Sequence, residues 1–364
     1  MKVLFDHQIF YEQRVGGVSR YHIELAKGLT QVCGDEVEIP VPYVMNTYLA
    51  DYTNRKLKKI PSDAVLRRVY QLSTVNLLLK LRYRPYDIVH LTWYNPRMVR
   101  ACENHRLVIT IHDMIQEIFG TDAVTAERKN FAVHHADGII AISESTKRDI
   151  LRFYPDIPEE KIEVIYHGTN HLGEAARPVS FTVPDHYLLF VGQRGGYKNA
   201  AFLMENLAEI LKQHEDLYLV FVGGGSFTAQ EEELLTRLGI RGQVTQKATT
   251  DGELAWLYQH AECFLYPSKY EGFGFPILEA FDNRCPVLCS NTSSLPEVGG
   301  DAAIYFSPED GGELREKVTS VLSNPELRER CIQKGLERVN CFTWEKTARK
   351  TRAFYESVVL NSNK

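Results

Sequence analysis

Tyr270-Glu271-Gly272-Phe273-Gly274-Phe275-Pro276-Ile277-Leu278-Glu279-Ala280 is the stretch that decides the fold. It follows a strand-like segment, residues 261–266 (Ala-Glu-Cys-Phe-Leu-Tyr), and a Pro-Ser turn, and it leads into an apolar helix opened by Pro276. Proline is tolerated at a helix start because the N–H it lacks would have no intrahelical partner there. The unit therefore reads as strand, glycine-bearing loop and helix, with Glu271 on the loop and Glu279 in the first turns of the helix. The backbone N–H groups of Phe273, Gly274 and Phe275 then point out of a helix N-terminus, a favourable place for phosphate or developing negative charge. Two carboxylates flanking an anion site suit a phosphorylated sugar. A strand-loop-helix unit with two surface acids is the plainer alternative.

Further short apolar, β-branched runs occur at residues 2–5, 87–91, 107–111, 138–142, 162–166, 187–191, 218–222 and 287–290, with helically spaced segments between them. Alternating strand and helix patterns imply parallel sheets with right-handed crossovers, hence an α/β fold with helices on both sheet faces. At 364 residues the chain exceeds what one hydrophobic core usually supports. The pattern also restarts after a polar stretch, residues 168–185, that contains Pro178 and Pro184. The expectation is two doubly wound, Rossmann-like domains, residues 1–175 and 176–342, facing across a cleft at the carboxyl ends of their strands. A long terminal helix over 343–364 has Trp344, Ala348, Phe354 and Val358 as candidate anchors.

Composition narrows the function classes. Hydrophobic content of 44% with 24% charged residues is that of a soluble globular protein, and a net charge of -5 argues against general nucleic-acid binding. The seven cysteines are scattered, odd in number and free of Cys-x-x-Cys spacing, so neither a zinc site nor a disulfide framework is indicated. No segment approaches a signal peptide or a membrane span, which leads to the expectation of a cytoplasmic protein, at most peripheral to a membrane.

The remaining motifs fall after strands, where ligands bind in such sheets. Gly16-Gly17 precede a helix over 19–29, and paired glycines let a backbone approach a diphosphate closely, although they also make ordinary turns. His112 stands at the end of the strand closing at Ile111, able to donate a hydrogen bond to a reacting sugar or to pack beside Asp113 as a helix cap. Arg194 and Lys198 lie in Gly192-Gln193-Arg194-Gly195-Gly196-Tyr197-Lys198, just before a helix. Two cations near a helix N-terminus make sense with an anion between them, Arg as a bidentate fork and Lys as a point charge; two solvated basic residues are the alternative. Gly223-Gly224-Gly225 lack the third glycine of a dinucleotide fingerprint, Thr228 holding that position, and read as a tight turn near the nucleotide. No Asp-x-Asp and no His/Cys/carboxylate cluster has ligand spacing, so no metal and no cofactor is expected. Residues 55–84 carry nine basic residues against Asp63, interleaved with Leu and Val. This segment rests on anionic lipid, or it is a core-packed helix with a solvated basic face.

Together these motifs resemble the retaining, two-domain glycosyltransferases of the GT-B fold. The likeness runs from Gly16-Gly17 to Phe342-Thr343-Trp344-Glu345, and residues 110–115 and 141–147 look most like the O-antigen and capsule mannosyltransferase branch. It implies that Arg194 and Lys198 hold the donor diphosphate and Glu271 contacts the transferred sugar. It also places Glu279 on the ribose, the amides of Phe273, Gly274 and Phe275 on sugar or phosphate, His112 beside the reacting centre, and Gly16-Gly17 over the diphosphate. The terminal helix would cross back to the first domain. The implied partners are a nucleotide sugar, GDP-mannose first, and a glycan or lipid-linked glycan acceptor, with no nucleic acid. A UDP-hexose donor, a nucleotide-sugar 2-epimerase and a non-catalytic glycan- or nucleotide-binding subunit are the competing readings. One departure is His167-Gly168-Thr169-Asn170, where the family often has Asn-Gly-Val-Asp.

Overall fold

A computed structural model of the chain describes residues 1–60, 62–169 and 176–361. The chain forms two compact units, Met1–Gly168 together with Thr343–Lys364, and Thr169–Phe342. The expected boundary at residue 175, like Asn170, lies outside the described residues; the division between units falls at Gly168 and Thr169.

Unit one holds strands β1 (Lys2–Phe5), β2 (Glu36–Glu38), β3 (Ile88–Leu91), β4 (Leu107–Ile111), β5 (Gly138–Ala141) and β6 (Ile162–Val164). They form one parallel sheet in the order β2-β1-β3-β4-β5-β6. Strands β3, β4 and β5 are buried along their whole length, as a parallel sheet covered by helices on both faces requires. Side chains alternate between the faces. Val89, Leu91, Ile109 and Ile139 pack on one side against Met98, Ala132 and Ile150, while Val3, Phe5, Val108 and Ile140 pack on the other against Tyr21, Leu25 and Tyr355. Tyr355 belongs to the terminal helix, Trp344–Asn361, which buries Thr347, Ala348, Thr351, Phe354, Tyr355 and Val358. It lies against helix Gly17–Cys33 so closely that a Cβ on Gly28 would meet the Ala348 Cβ at 2.8 Å.

Unit two holds β7 (His186–Val191), β8 (Leu217–Val222), β9 (Val244–Lys247), β10 (Cys263–Tyr266), β11 (Val287–Ser290) and β12 (Ile304–Phe306). The order is β12-β11-β10-β7-β8-β9, again all parallel. From β7 the chain first builds outward through β8 and β9, then returns to place β10 on β7's other side. The order therefore reverses between β7 and β10, and ligands bind outside the carboxyl ends of strands at such a point. The two loops that leave those strands carry Arg194, Lys198 and Glu271.

Three strands, β2, β9 and β12, have no counterpart among the sequence-predicted runs; each is a three- or four-residue edge strand. Among the described residues no helix is long and apolar enough to cross a membrane.

Candidate active site

Two loops make the centre of unit two. After β7 the chain turns at Gly192, whose φ is 129°, and reaches a 3-10 turn, Gly196–Lys198, before helix Ala200–Gln213. After β10 it runs through Glu271 to Gly274, at φ 111°, which stands at the N-cap of helix Phe275–Asp282. That helix has no side-chain cap, because its cap residue is a glycine, and Pro276 in its first turn brings no N–H. A side chain at Gly274 is doubly opposed: the left-handed φ disfavours it, and a Cβ would meet Leu295 Cδ2 at 3.0 Å.

The loops meet in one contact. Lys198 Nζ donates to Glu271 Oε1 at 2.7 Å and to the Tyr266 hydroxyl at 3.4 Å, with both charged side chains largely buried. An ammonium has three N–H bonds, so the two contacts do not exhaust it. Glu271 is held from behind by its backbone: its N–H donates to Ser293 Oγ at 2.9 Å, and Ser294 Oγ donates to the carbonyls of Glu271 and Phe273 at 2.8 Å. Burial, followed by the Glu271 charge, holds the Tyr266 phenol well above its ordinary value, so it stays a neutral donor or acceptor. Glu279 is half-buried one turn into the helix, and after burial its carboxylate is the next influence raising the phenol of Tyr258.

Arg194 has partners that the sequence reading did not foresee. Its guanidinium is turned inward, with 6% of the residue exposed, and makes five hydrogen bonds. Nε and Nη2 donate to Glu231 at 2.8 and 3.2 Å, Nη1 to the carbonyls of Gly223 and Gly225, both at 3.0 Å, and Nη2 to the Ser226 carbonyl at 2.9 Å. A guanidinium has five N–H donors, and all five are engaged within the protein. Arg194 therefore braces the glycine turn after β8 instead of presenting a fork to an anion. The turn is shaped for it: Gly223, Gly224 and Gly225 all have left-handed φ, and a Cβ on Gly224 would lie 2.7 Å from Arg194 Nη1. Burial by itself would raise the Glu231 carboxyl, but the Arg194 bond and the Thr228 N–H bring it below its ordinary value.

In unit one, Gly16 is the N-cap of helix Gly17–Cys33, where the Gln13 side chain accepts from Ser19 N–H at 3.1 Å. A Cβ on Gly16 would fall 2.4 Å from Gln13 Oε1, so this glycine makes room for that capping side chain. His112 leaves the end of β4 and enters a ring cluster the sequence reading missed. Tyr21 lies edge-on at 5.0 Å, His22 and His167 at 5.7 Å, and His112 Nε2 is buried without a hydrogen-bond partner. Burial first, then neighbouring histidines, hold His112 well below its ordinary value, so it is a neutral imidazole. His167 and Gly168 belong to the same packing: a Cβ on Gly168 would sit 2.3 Å from the backbone nitrogen of Trp344.

The other residue the sequence reading missed, Glu231, had a visible signal. It is the fourth residue of the capping box Thr228-x-x-Glu231, whose two reciprocal bonds are formed. Its second role, as counter-ion to Arg194, leaves no local pattern. No group of three or more His, Cys, Asp or Glu side chains among the described residues is placed to hold a metal ion.

Two family models together cover nearly the whole chain. Residues 15–171 match the model for Glycosyltransferase Family 4, and residues 174–338 the model for Glycosyl transferases group 1. The chain belongs to the GT-B glycosyltransferases. It falls in their O-antigen mannosyltransferase-like branch. O-antigen chain mannosyltransferase B of Escherichia coli is 25% identical across 98% of this chain and all of its own. MMP alpha-(1->4)-mannosyltransferase of Mycolicibacterium hassiacum is 29% identical across 61% of this chain and 54% of its own. Two solved structures share the fold. Sucrose-phosphate synthase from Thermosynechococcus elongatus has a TM-score of 0.74 at 19% identity, covering 99% of both chains. Anabaena HepE in complex with UDP and glucose has a TM-score of 0.72 at 16% identity, covering 98% of this glycosyltransferase and all of HepE.

Proposed function

We propose that this glycosyltransferase moves mannose from GDP-mannose to a hydroxyl of a glycan or lipid-linked glycan acceptor in surface polysaccharide synthesis, retaining the anomeric configuration and needing no metal. The observation that carries the reading is the Lys198–Glu271 contact, which joins the two loops at the switch point of the second sheet. It sets a cation suited to a leaving diphosphate beside a carboxylate suited to sugar hydroxyls, next to the N-terminus of helix Phe275–Asp282. The choice of mannose rests on the two relatives above, both named as mannosyltransferases.

In the proposed reaction Glu271 accepts from sugar hydroxyls and Glu279 from the ribose, while Lys198 and the amides around Phe273, Gly274 and Phe275 oppose charge developing on the departing phosphate. The leaving phosphate oxygen takes the acceptor's proton on the same face. Arg194 acts one step back, by holding the glycine turn. Gly16-Gly17 and the neutral His112 serve the donor from unit one, His112 as a hydrogen-bond donor to the reacting sugar. The acceptor reading draws on a cavity of about 590 Å³ within unit one, lined by Tyr70, Thr74, Asn95, Arg97 and others. It opens beside the carboxyl ends of β1 and β3, where the order of the first sheet reverses.

The test is thermal unfolding with GDP, UDP, ADP and their sugar conjugates, with and without magnesium. A ligand at a hundred times its Kd stabilises by about 2.7 kcal/mol, which moves the Tm of a domain of this size by roughly 5–10 °C. The expected result is a magnesium-independent shift with GDP and GDP-mannose. A shift with UDP-sugars alone overturns the donor, and silence across the panel overturns donor binding. Anomeric NMR of the product decides retention.

A further inference from the structure

Lys129 is buried, with 1% of its surface exposed, on the inner face of helix Ala123–His135 beside Ala132 and Val133. Lysine is almost never fully buried unless paired, because its charge must leave water. Here all three N–H donors of the ammonium are engaged. Nζ donates to Glu117 Oε2 at 2.8 Å, and to the Gln116 side-chain oxygen and the Asp113 carbonyl, both at 2.9 Å. The Glu117 side chain is itself buried and accepts a second bond from the Tyr154 hydroxyl at 2.7 Å. The proposed reaction uses none of these groups.

Every acceptor of Lys129 lies on the segment that leaves β4. Asp113 follows His112 directly, and Gln116 and Glu117 belong to the short helix Ile115–Phe119, which buries none of its own residues and has no side-chain cap. Tyr94 closes the group, its ring centre 5.7 Å from Nζ. Burial first, then the charges of Asp113 and Glu117, hold its phenol well above the ordinary value, against a downward pull from the backbone of His112.

Packing alone does not call for a charge here. A buried ion pair is often no more stabilising than apolar side chains of similar volume. An apolar side chain cannot satisfy the Asp113 carbonyl, however, and that carbonyl fixes the peptide plane one residue after His112. The rings around His112 do not do this instead. Tyr21, His22 and His167 touch it through non-directional ring contacts, and Nε2 has no hydrogen bond to set the ring's rotation. The direction of the imidazole is inherited from the turn that carries it.

We propose that Lys129 is a positioning residue: by holding the Asp113 carbonyl it fixes the turn after β4, and with it the direction from which His112 meets the reacting sugar. This role rests on His112 serving the donor, as proposed above.

The experiment compares Lys129→Met, Lys129→Met/Glu117→Gln and His112→Ala with the wild-type full chain. Lys129→Met strands the Glu117 charge and should lower the Tm; the double variant removes that charge and should recover most of the loss, so positioning is read in a folded protein. Two readouts then separate positioning from support. The nuclear Overhauser contact between the His112 and Tyr21 rings, whose centres are 5.0 Å apart, should be lost in the double variant. Release of GDP from GDP-mannose should fall in kcat by about a hundredfold, the cost of a group misplaced by about 1 Å, with KM unchanged. On the His112→Ala background the double substitution should cost no further kcat, because both act through one imidazole. A retained ring contact, or wild-type kcat, in the double variant overturns the proposal and reduces Lys129 to support. A rise in KM with kcat intact, or a further loss of similar size on the His112→Ala background, overturns it too. Wild-type turnover of His112→Ala strikes the role of His112 itself, and the ring contact, which needs no substrate, still reports whether Lys129 orients that imidazole.

Discussion

Arg194→Ala separates a bracing arginine from a ligand-binding one. The substitution removes five donors at once, leaving Glu231 without its counter-ion and the carbonyls of Gly223, Gly225 and Ser226 without their N–H partners. The arginine side chain is 3% exposed and Glu231 20%, so solvent replaces little of what is lost. Breaking a buried ion pair by removing one partner costs about 3–5 kcal/mol. Unit two should therefore lose about that much, a drop in Tm of roughly 6–20 °C for a domain of its size, read by calorimetry on the purified variant. Glu231→Gln removes the stranded charge, so the double variant should recover about 1–3 kcal/mol relative to the sum of the singles. Arg194→Lys should not rescue, since an ammonium has three donors and no planar fork. A Tm within a degree of wild type, with activity gone, would refute the bracing role and return Arg194 to the diphosphate.

Other outcomes follow from the same geometry. Lys198→Ala and Glu271→Gln should each lower kcat by about a hundredfold to a thousandfold, and Lys198→Ala, which strands the largely buried Glu271 charge, should lower the Tm as well; in kcat the double variant should fall little further because the pair acts as a unit, and wild-type turnover in either single variant removes that residue from the chemistry. Unit one should be acid-labile. Burial holds His7 and His22 at about 4, His167 at about 3, and His90 and His112 well below 6.5. The unfolded chain therefore takes up more protons than the folded one, and stability falls as pH drops from about 6.5 towards 4, by about 2 kcal/mol per such histidine at pH 5. Asp6, raised by burial to about 6, works in the opposite sense and offsets part of one histidine. Urea midpoints at pH 7.5 and 5.0 check this, and equal midpoints would contradict it. Gly168→Ala forces a Cβ against the Trp344 backbone and should cost unit one about 1–3 kcal/mol, whereas Gly17→Ala, where a Cβ meets nothing within 4 Å, should be close to neutral in a thermal melt.

What could be read in the sequence follows burial. The central strands are runs of Val, Ile, Leu and Phe because both faces of a parallel sheet are covered, and β3, β4, β5, β8 and β10 stand out for that reason. The strands Glu36–Glu38, Val244–Lys247 and Ile304–Phe306 sit at sheet edges, half-exposed and three or four residues long, too short for a periodic signal. The loops with Lys198 and Glu271 were legible because glycine and proline punctuate them. The engagement of Arg194 was not, because Glu231 lies 37 residues away and carries its own local explanation as a helix cap. Nor was the cluster around His112, whose members come from helix Gly17–Cys33, β3, the end of β4 and the segment after β6.

The division of the chain bears on how it is made. Unit two is an insertion: it begins at Thr169 and ends at Phe342, and its two ends are tied by a hydrogen bond from Thr169 N–H to the Phe342 carbonyl at 3.0 Å. Unit one is interrupted, and the helix that covers Val3, Phe5 and Ile140 is synthesised only after the whole of unit two. A chain of residues 1–342 thus has everything unit two requires, while the sheet face under helix Gly17–Cys33 still lacks its second helix. The first sheet cannot complete its core until the last helix is made, and the stretch of synthesis between residues 169 and 343 is when a chaperone would find apolar surface to hold.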